Sequence, residues 1–265
     1  MKWAFIAAND ADQLVRDVEF ASLHGFAGLE FNHWAGFADL TEADIAATAA
    51  ILEARGIRCA SLGLWGWNHL ALDAAERAEA HRHLDRLLAF GRILGAETLV
   101  TGGGDWGGAP LDEQAREFAR VFPPFLDRAA AAGFDVAFYG LHGNSFFDGL
   151  AAFERVWELG LDIRIKYDPA NFMHAGQDPV PVVRQYGHRV GYMHIKEHVV
   201  IDGELASQPA AGMGDVPWGT LFAFLYEHGY RGWLSMEPHG PLWSREPLRS
   251  RMLLLSKRYL ESFVL

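Results

Sequence analysis

The chain has 265 residues, half of them hydrophobic and 22% charged, with Lys plus Arg at 23 against Asp plus Glu at 34 for a formal net charge of −11. That composition excludes a wholly disordered chain, and a single cysteine, Cys59, excludes an internal disulfide framework. The acidic balance argues against a general nucleic-acid or anionic-membrane binder, while leaving room for a local basic pocket.

The apolar stretch in Met1 to Asp10 is too short for a secretory signal and reads as a first strand over 2–8. A helix over 12–24, a strand over 27–31, a helix over 41–54 and a strand over 57–62 follow. The pattern continues with a helix over 73–94, a strand over 97–102, a helix over 112–132 and a strand over 134–139. Then come a helix over 147–160, a strand over 163–168, a helix over 178–187 and a strand over 190–195. A helix over 217–228, a strand over 232–237 and a last helix over 246–262 complete the chain. The helical period is clearest at 73–94, where Leu84, Leu87, Leu88 and Leu94 recur among charged neighbours. Gly25, Gly56, Gly95, Gly133, Gly160 and Gly229 each end a helix just before a strand. No run approaches the roughly 20 apolar residues of a membrane helix. A cytoplasmic protein with no membrane partner is the expectation.

Eight strands each followed by a helix in about 250 residues predict a closed (β/α)8 TIM barrel, one α/β domain over 1–265. A doubly wound sheet is the rival, but Asn9-Asp10-Ala11-Asp12 after the first strand carries no glycine fingerprint. Gly102-Gly103-Gly104 lacks both the Gly-x-Gly-x-x-Gly spacing and a phosphate-binding Lys. The longest irregular piece, 197–216, is read as a loop over the active face.

Ligands of such barrels bind at the C-terminal strand ends, and those ends are rich in polar groups here. They include Glu30 to Trp34, Trp65 to His69, Asp105-Trp106, His142 to Asn144, Lys166 to Asn171, His194 to His198 and Glu237 to Gly240. Asp168, His194 and Glu237 are the sharpest set, because each closes an apolar strand and the three strands are expected to be neighbours. Carboxylate and imidazole ligands with open positions suit a divalent metal: manganese first, with zinc, cobalt or magnesium as alternatives. The competing reading gives them separate roles, with Asp168 capping a turn before Pro169, His194 a satisfied inward histidine and Glu237 a solvated carboxylate.

Three further stretches carry a resemblance: Arg189 to Lys196, Gly212 to Trp218 and Gly229 to His239, with Asp168-Pro169-Ala170-Asn171 through Pro179 as a fourth. On these the sequence resembles the xylose-isomerase-like sugar phosphate isomerase/epimerase family of barrels, most specifically from about residue 160 onward. In that family four strand-end ligands, usually Glu, Asp, His and Glu, hold a divalent metal. The resemblance implies that Asp168, His194 and Glu237 take the last three roles. The first Glu is missing: the strand-five end reads Tyr139-Gly140-Leu141-His142-Gly143-Asn144, with Gly140 at the Glu position. His142 is the candidate fourth ligand or near-metal acid/base; otherwise it is a loop histidine that meets substrate or water.

The implied activity is metal-dependent isomerisation or epimerisation, with proton abstraction beside the carbonyl of a keto-sugar or polyol derivative. Glu237 is the expected base. His142, Lys196 and Glu30 are candidates for a second acid/base or for stabilising oxygen charge, against ion-pair readings with Glu197 for Lys196 and inside the barrel mouth for Glu30. Lys166, which shares parity with Asp168, is expected below it, paired with a carboxylate such as Glu30. Trp34, Trp65, Trp67 and Trp106 with His239 are candidates to wall a carbohydrate pocket, since indole faces suit sugar C–H surfaces; packing between loops and barrel is the alternative. A one-base dehydratase or lyase, and a catalytically reduced sugar-binding or partner subunit, remain alternative readings. An endonuclease acting at abasic DNA, an activity of a related barrel, is disfavoured by the acidic charge and the missing Glu. The expected partner is a small carbohydrate, with no nucleic acid, and a homo-oligomer is left open.

Overall fold

Strands and helices alternate through the chain as the hydrophobic pattern requires. The structure, a computed structural model, describes residues 1–33 and 35–264. The first half runs β1 (Lys2–Ile6), α1 (Ala11–His24), β2 (Gly28–His33), α2 (Glu42–Glu53), β3 (Arg58–Leu64), α3 (Ala74–Leu94), β4 (Thr98–Thr101), α4 (Leu111–Val121), α5 (Pro123–Ala131) and β5 (Asp135–Tyr139). The second half runs α6 (Leu150–Glu158), β6 (Arg164–Tyr167), α7 (Pro169–His174), α8 (Val180–Tyr186), β7 (Val190–Ile195), β8 (Val199–Ile201), β9 (Glu204–Ser207), α9 (Trp218–Glu227), β10 (Trp233–Met236) and α10 (Leu248–Leu260).

Among the described residues, eight parallel strands close a barrel in the order β1-β2-β3-β4-β5-β6-β7-β10, and β10 pairs back onto β1. The chain is a (β/α)8 TIM barrel. Helix starts are fixed locally. Asp10 accepts from Gln13 N, Asp73 from Ala75 N and Glu76 N, and Thr41 with Asp44 forms a reciprocal capping box. α1 and α3 end on Gly25 and Gly95 at φ 69° and 65°, a left-handed backbone that costs glycine no Cβ clash.

The barrel interior is filled by Ala4, Ala60, Val100, Ala137, Tyr139, Tyr192 and Trp233, with Trp65 toward the rim. A second apolar layer lies between strands and helices, where Leu29, Leu62, Leu99, Phe138, Ile165 and Leu234 belong to one core with Leu87, Phe118, Phe153 and Leu221. Full burial of each such side chain contributes roughly 1.5–3 kcal/mol, so this layer dominates the stability. The seam between the last and first helices is tied by Arg249, whose Nη1 and Nη2 donate to Asp17 Oδ1 and Oδ2 at 2.7 and 2.9 Å.

Three features depart from the sequence expectation. The helix expected over 112–132 is two, because Pro123 has no N–H to continue α4 and instead opens α5. The turn after β6 contains the short helix α7. The segment expected as a loop over 197–216 holds the antiparallel hairpin β8–β9 outside the barrel. In the barrel, irregularities of strand register fall at Leu29/Glu30 and Ile165/Lys166. Such irregularities re-aim side chains, and Glu30 and Lys166 are both buried members of the site described next. Among the described residues no helix is long and apolar enough to cross a membrane.

Candidate metal centre

Parallel strands all end on one face of a barrel, so residues remote in sequence meet there. Asp168 follows β6, His194 lies on β7 and Glu237 follows β10, and β7 pairs with both neighbours. Among the described residues these three form a group in which one donor atom from each lies within 4.8 Å of the others. His194 Nδ1 is 2.9 Å from Glu237 Oε2 and 3.6 Å from Asp168 Oδ2. Asp168 and His194 are buried, whereas the Glu237 side chain keeps 16% of its surface and faces the opening. Asp168 Oδ2 is buried and faces only cationic and imidazole groups, the nearest being Lys196 Nζ at 3.0 Å. A carboxylate–imidazole–carboxylate set this close together fits a divalent cation.

The other face of the His194 ring is fixed from behind. Glu30 Oε1 and Oε2 lie 2.7 and 2.9 Å from His194 Nε2, and Ser235 Oγ donates to Glu30 Oε2 at 2.5 Å. Glu30 is fully buried, so it meets the imidazole and not the opening. Burial disfavours charge on His194, but Glu30, with Asp168 and Glu237 on Nδ1, outweighs burial and lifts its pKa to about 10. Burial likewise opposes charge on Asp168 and Glu237, yet Lys196 and the neighbouring cationic groups hold both below the usual carboxylate range.

Two lysines line the same corner. Lys196 Nζ is 3.0 Å from Asp168 Oδ2, 3.2 Å from Glu237 Oε2 and 2.7 Å from Asn171 Oδ1. It does not pair with Glu197, although the two are neighbours just after β7. The buried Glu197 carboxyl instead accepts from His198 N, Gly212 N, Val216 N and Trp218 Nε1. Lys166 Nζ lies 3.6 Å from Asp168 Oδ2 and 5.1 Å over the Trp65 ring, so its close carboxylate is Asp168 and not Glu30. Desolvation lowers the Lys166 pKa despite that neighbour.

His142 is not brought into the Asp168–His194–Glu237 group. Its Nε2 faces Asn171 Nδ2 at 3.2 Å, and its ring stands edge-on to Trp65 at 5.1 Å. Burial, with Lys166 and Lys196 adding to it, lowers the His142 pKa to about 4. The neutral ring therefore accepts from Asn171 through Nε2. The backbone explains its placement: Leu141 takes φ 63° and donates its N–H to Phe147 O at 2.7 Å, which turns the chain sharply after β5. That carbonyl also covers Gly140, where an added Cβ would meet Phe147 O at 2.7 Å. Gly140→Glu is therefore expected to destabilise the fold by about 1–3 kcal/mol instead of restoring a fourth ligand. Urea unfolding of the variant beside the wild type checks this, and an unchanged midpoint would show that the turn yields.

The expected rim residues divide. His239 is half exposed and its Nδ1 lies 3.0 Å from Glu237 Oε1, at the mouth. Trp67 lies tilted at 47° against His83 with ring centroids 4.0 Å apart, and Trp106 receives its local fix from a backbone bond to Gln114 Oε1; both pack against the core. Trp34 lies outside the described residues. The aromatic wall nearest the site is Trp65, stacked on Tyr139 at 4.0 Å and 7° and holding Asn32 Oδ1 through Nε1. Sequence reasoning had not singled out Asn171. The signal was local: Asp168 caps α7 and accepts from Asn171 N three residues on, which fixes the amide beside the triad.

Buried histidines elsewhere on the rim set a pH response. His69 is fully buried with Nε2 2.9 Å from Thr101 Oγ1, and burial, helped by His81 and His83, lowers its pKa to about 3. Burial alone takes His33 to about 4. Such groups bind a proton in the unfolded chain but not in the fold, so their contribution is present above about pH 6.5 and lost as pH falls below it. Unfolding free energy is expected to drop between pH 6.5 and 4 by up to about 1.4 kcal/mol per unit for each group. Denaturant titrations across that range check it, and His69→Leu should flatten the slope.

A family model described as xylose isomerase-like TIM barrel matches residues 18–256. The chain belongs to this family. Among similar solved structures, an L-ribulose 3-epimerase superposes with TM-score 0.80 at 18% identity, covering 100% of this chain and 95% of that one. The D-allulose 3-epimerase of Methylomonas sp. gives 0.77 at 19%, covering 99% and 96%. The IolI protein with a bound zinc atom gives 0.79 at 16%, covering 100% and 98%. At these identities the likeness is one of fold. The inosose dehydratase of Clostridium tetani is 24% identical over 116 residues, 37% of this chain and 37% of the relative. That of Geobacillus kaustophilus is 25% identical over 115 residues, again 37% of each. The match thus spans little more than a third of these curated relatives. This member of the xylose isomerase-like barrels carries Asp168, His194 and Glu237 at the ends of β6, β7 and β10, and Gly140 follows β5.

Proposed function

We propose that this barrel is a divalent-metal-dependent sugar isomerase or epimerase that removes a proton beside the carbonyl of a keto-sugar or polyol derivative. The observation that carries the reading is the Asp168–His194–Glu237 group, with Glu237 alone among them facing the opening. Asp168 Oδ2, His194 Nδ1 and Glu237 Oε2 are the atoms to hold the cation, with manganese the first candidate. When bound, such a cation supplies Lewis-acid polarisation of a substrate carbonyl. Glu30 keeps the His194 ring oriented through Nε2, so that Nδ1 would offer its lone pair to a cation that displaces the Nδ1 proton.

The reacting proton goes to Glu237, an ionised carboxylate at the mouth. Lys196 donates to a substrate oxygen as charge develops there. Were a divalent cation to displace the proton that the raised pKa leaves on His194, the carboxylates of Glu30, Asp168 and Glu237, the two lysines and the cation would together carry one net positive charge. That balance matches a substrate acquiring one negative charge as the proton leaves. His142, neutral beside Asn171, is the second proton carrier. Trp65 and half-exposed His239 form the carbohydrate wall. The acidic net charge fits a small molecule in preference to nucleic acid, in a cytoplasmic setting.

One observation supports a second reading. With the β5 end closed by the Phe147 carbonyl over Gly140, a single carboxylate base opposes a buried ammonium, which suits elimination of water from a keto-polyol. The partial relatives named inosose dehydratase point the same way. Incubating the manganese-loaded protein with a panel of ketohexoses, ketopentoses and keto-inositols in heavy water separates the readings. Deuterium entering a product of unchanged composition supports isomerisation or epimerisation, and loss of water supports dehydration. Stoichiometric sugar binding without turnover in any of them would leave only a binding role.

A further inference from the structure

Resting on the cation reading above, we infer that Lys196 is an internal competitor for the cation, and that Asn171 is the acceptor to which its ammonium retreats when the cation binds. The ammonium has three protons, and three acceptors face it: Asn171 Oδ1 at 2.7 Å, Asp168 Oδ2 at 3.0 Å and Glu237 Oε2 at 3.2 Å. The last two are oxygens of the metal-holding group itself. A cation and an ammonium drawing on the same two oxygens repel each other and divide the same lone pairs.

Lys196 cannot simply leave for solvent, because its side chain is only 4% exposed, and a buried ammonium stripped of partners is costly. Asn171 removes that difficulty. Its oxygen makes the shortest of the three contacts and belongs to no carboxylate of the triad. Its position is fixed from two sides, by its backbone N–H on Asp168 Oδ1 at 3.2 Å and its Nδ2 toward His142 Nε2 at 3.2 Å. An ammonium that gives up the two carboxylates keeps this hydrogen bond and gains free donor protons beside the cation, where a substrate oxygen would sit. Lys166 has no such arrangement. It lies 3.6 Å from Asp168 Oδ2, beyond hydrogen-bond length, with its charge over Trp65. It therefore serves as a control of equal charge.

The test measures Mn2+ affinity, by the electron paramagnetic resonance signal of free Mn2+, for the full-length wild type, Lys196→Met, Lys166→Met, Asn171→Leu and the Lys196→Met/Asn171→Leu double variant. Thermal melts of each protein establish that it is folded, and Lys196→Gln is measured in parallel for the case that the methionine variant is not. Removing the competitor is expected to tighten Mn2+ binding about tenfold or more, and Lys166→Met to tighten it distinctly less. Asn171→Leu is expected to weaken binding in the wild type and to change nothing in the Lys196→Met background. Affinity unchanged or weaker in Lys196→Met, or equal tightening by both lysine variants, overturns the inference and leaves the cation reading standing. Failure of every folded form to bind Mn2+, with Co2+ and Zn2+ also refused, removes both.

Discussion

Glu237→Gln is expected to lower turnover by about 10²–10⁴-fold, the range over which a positioned general base acts, on whichever keto-sugar or keto-polyol the heavy-water assay selects. The amide keeps the shape of the carboxylate and still offers an oxygen to His194 Nδ1, which now sits 2.9 Å from Oε2. It cannot accept the substrate proton. The site geometry separates this effect from loss of the cation, because Asp168 and His194 remain as holders while Glu237 is the member at the opening. Deuterium exchange into substrate should stop in parallel with turnover. The measurement pairs steady-state rate with bound Mn2+ counted on the same sample. Turnover within about threefold of wild type, with the cation bound, would assign the base elsewhere and leave His142 as the candidate to examine.

Glu197→Leu is expected to destabilise the fold by about 3–5 kcal/mol, the largest single stability effect proposed for the chain. The carboxyl is fully buried. Its oxygens gather the backbone of His198, Gly212 and Val216 and the Trp218 indole within 2.8–3.0 Å. A leucine fills the space and leaves those donors buried without acceptors. The loss falls on the segment that carries the β8–β9 hairpin back to α9, immediately after Lys196. Urea unfolding at pH 7 gives the figure, and Mn2+ affinity on the folded fraction shows whether the site feels the loss. A change below about 1 kcal/mol would mean that water or a shifted loop satisfies the donors at little cost.

The fold was legible because its signals are local. Apolar runs of strand length and glycines placed just past helix ends each act within a few residues, and their repetition fixed the (β/α)8 reading. The helix break at Pro123 was also written locally, in the Phe122-Pro123-Pro124 step, but the apolar period ran across it and masked it. The hairpin β8–β9 carried no comparable signal, since its strands are three and four residues long and largely exposed.

Sequence by itself determined the barrel, the strand ends that carry chemistry, and the trio Asp168, His194 and Glu237, because residues at the ends of adjacent parallel strands must converge whatever the loops do. Only the tertiary structure decided what each remaining polar group faces. Glu30 shared the strand-end signature of a catalytic acid, yet it lies behind His194, bonded to Nε2. His142 followed the strand-five end in the expected register, yet the turn at Leu141 directs it to Asn171. Lys196 and Glu197 are sequence neighbours with opposite charges, yet where the chain leaves β7 one enters the site and the other is taken up by the loop beyond it. Such choices depend on backbone turns and on partners from distant strands, and neither is encoded within the few residues over which sequence patterns act.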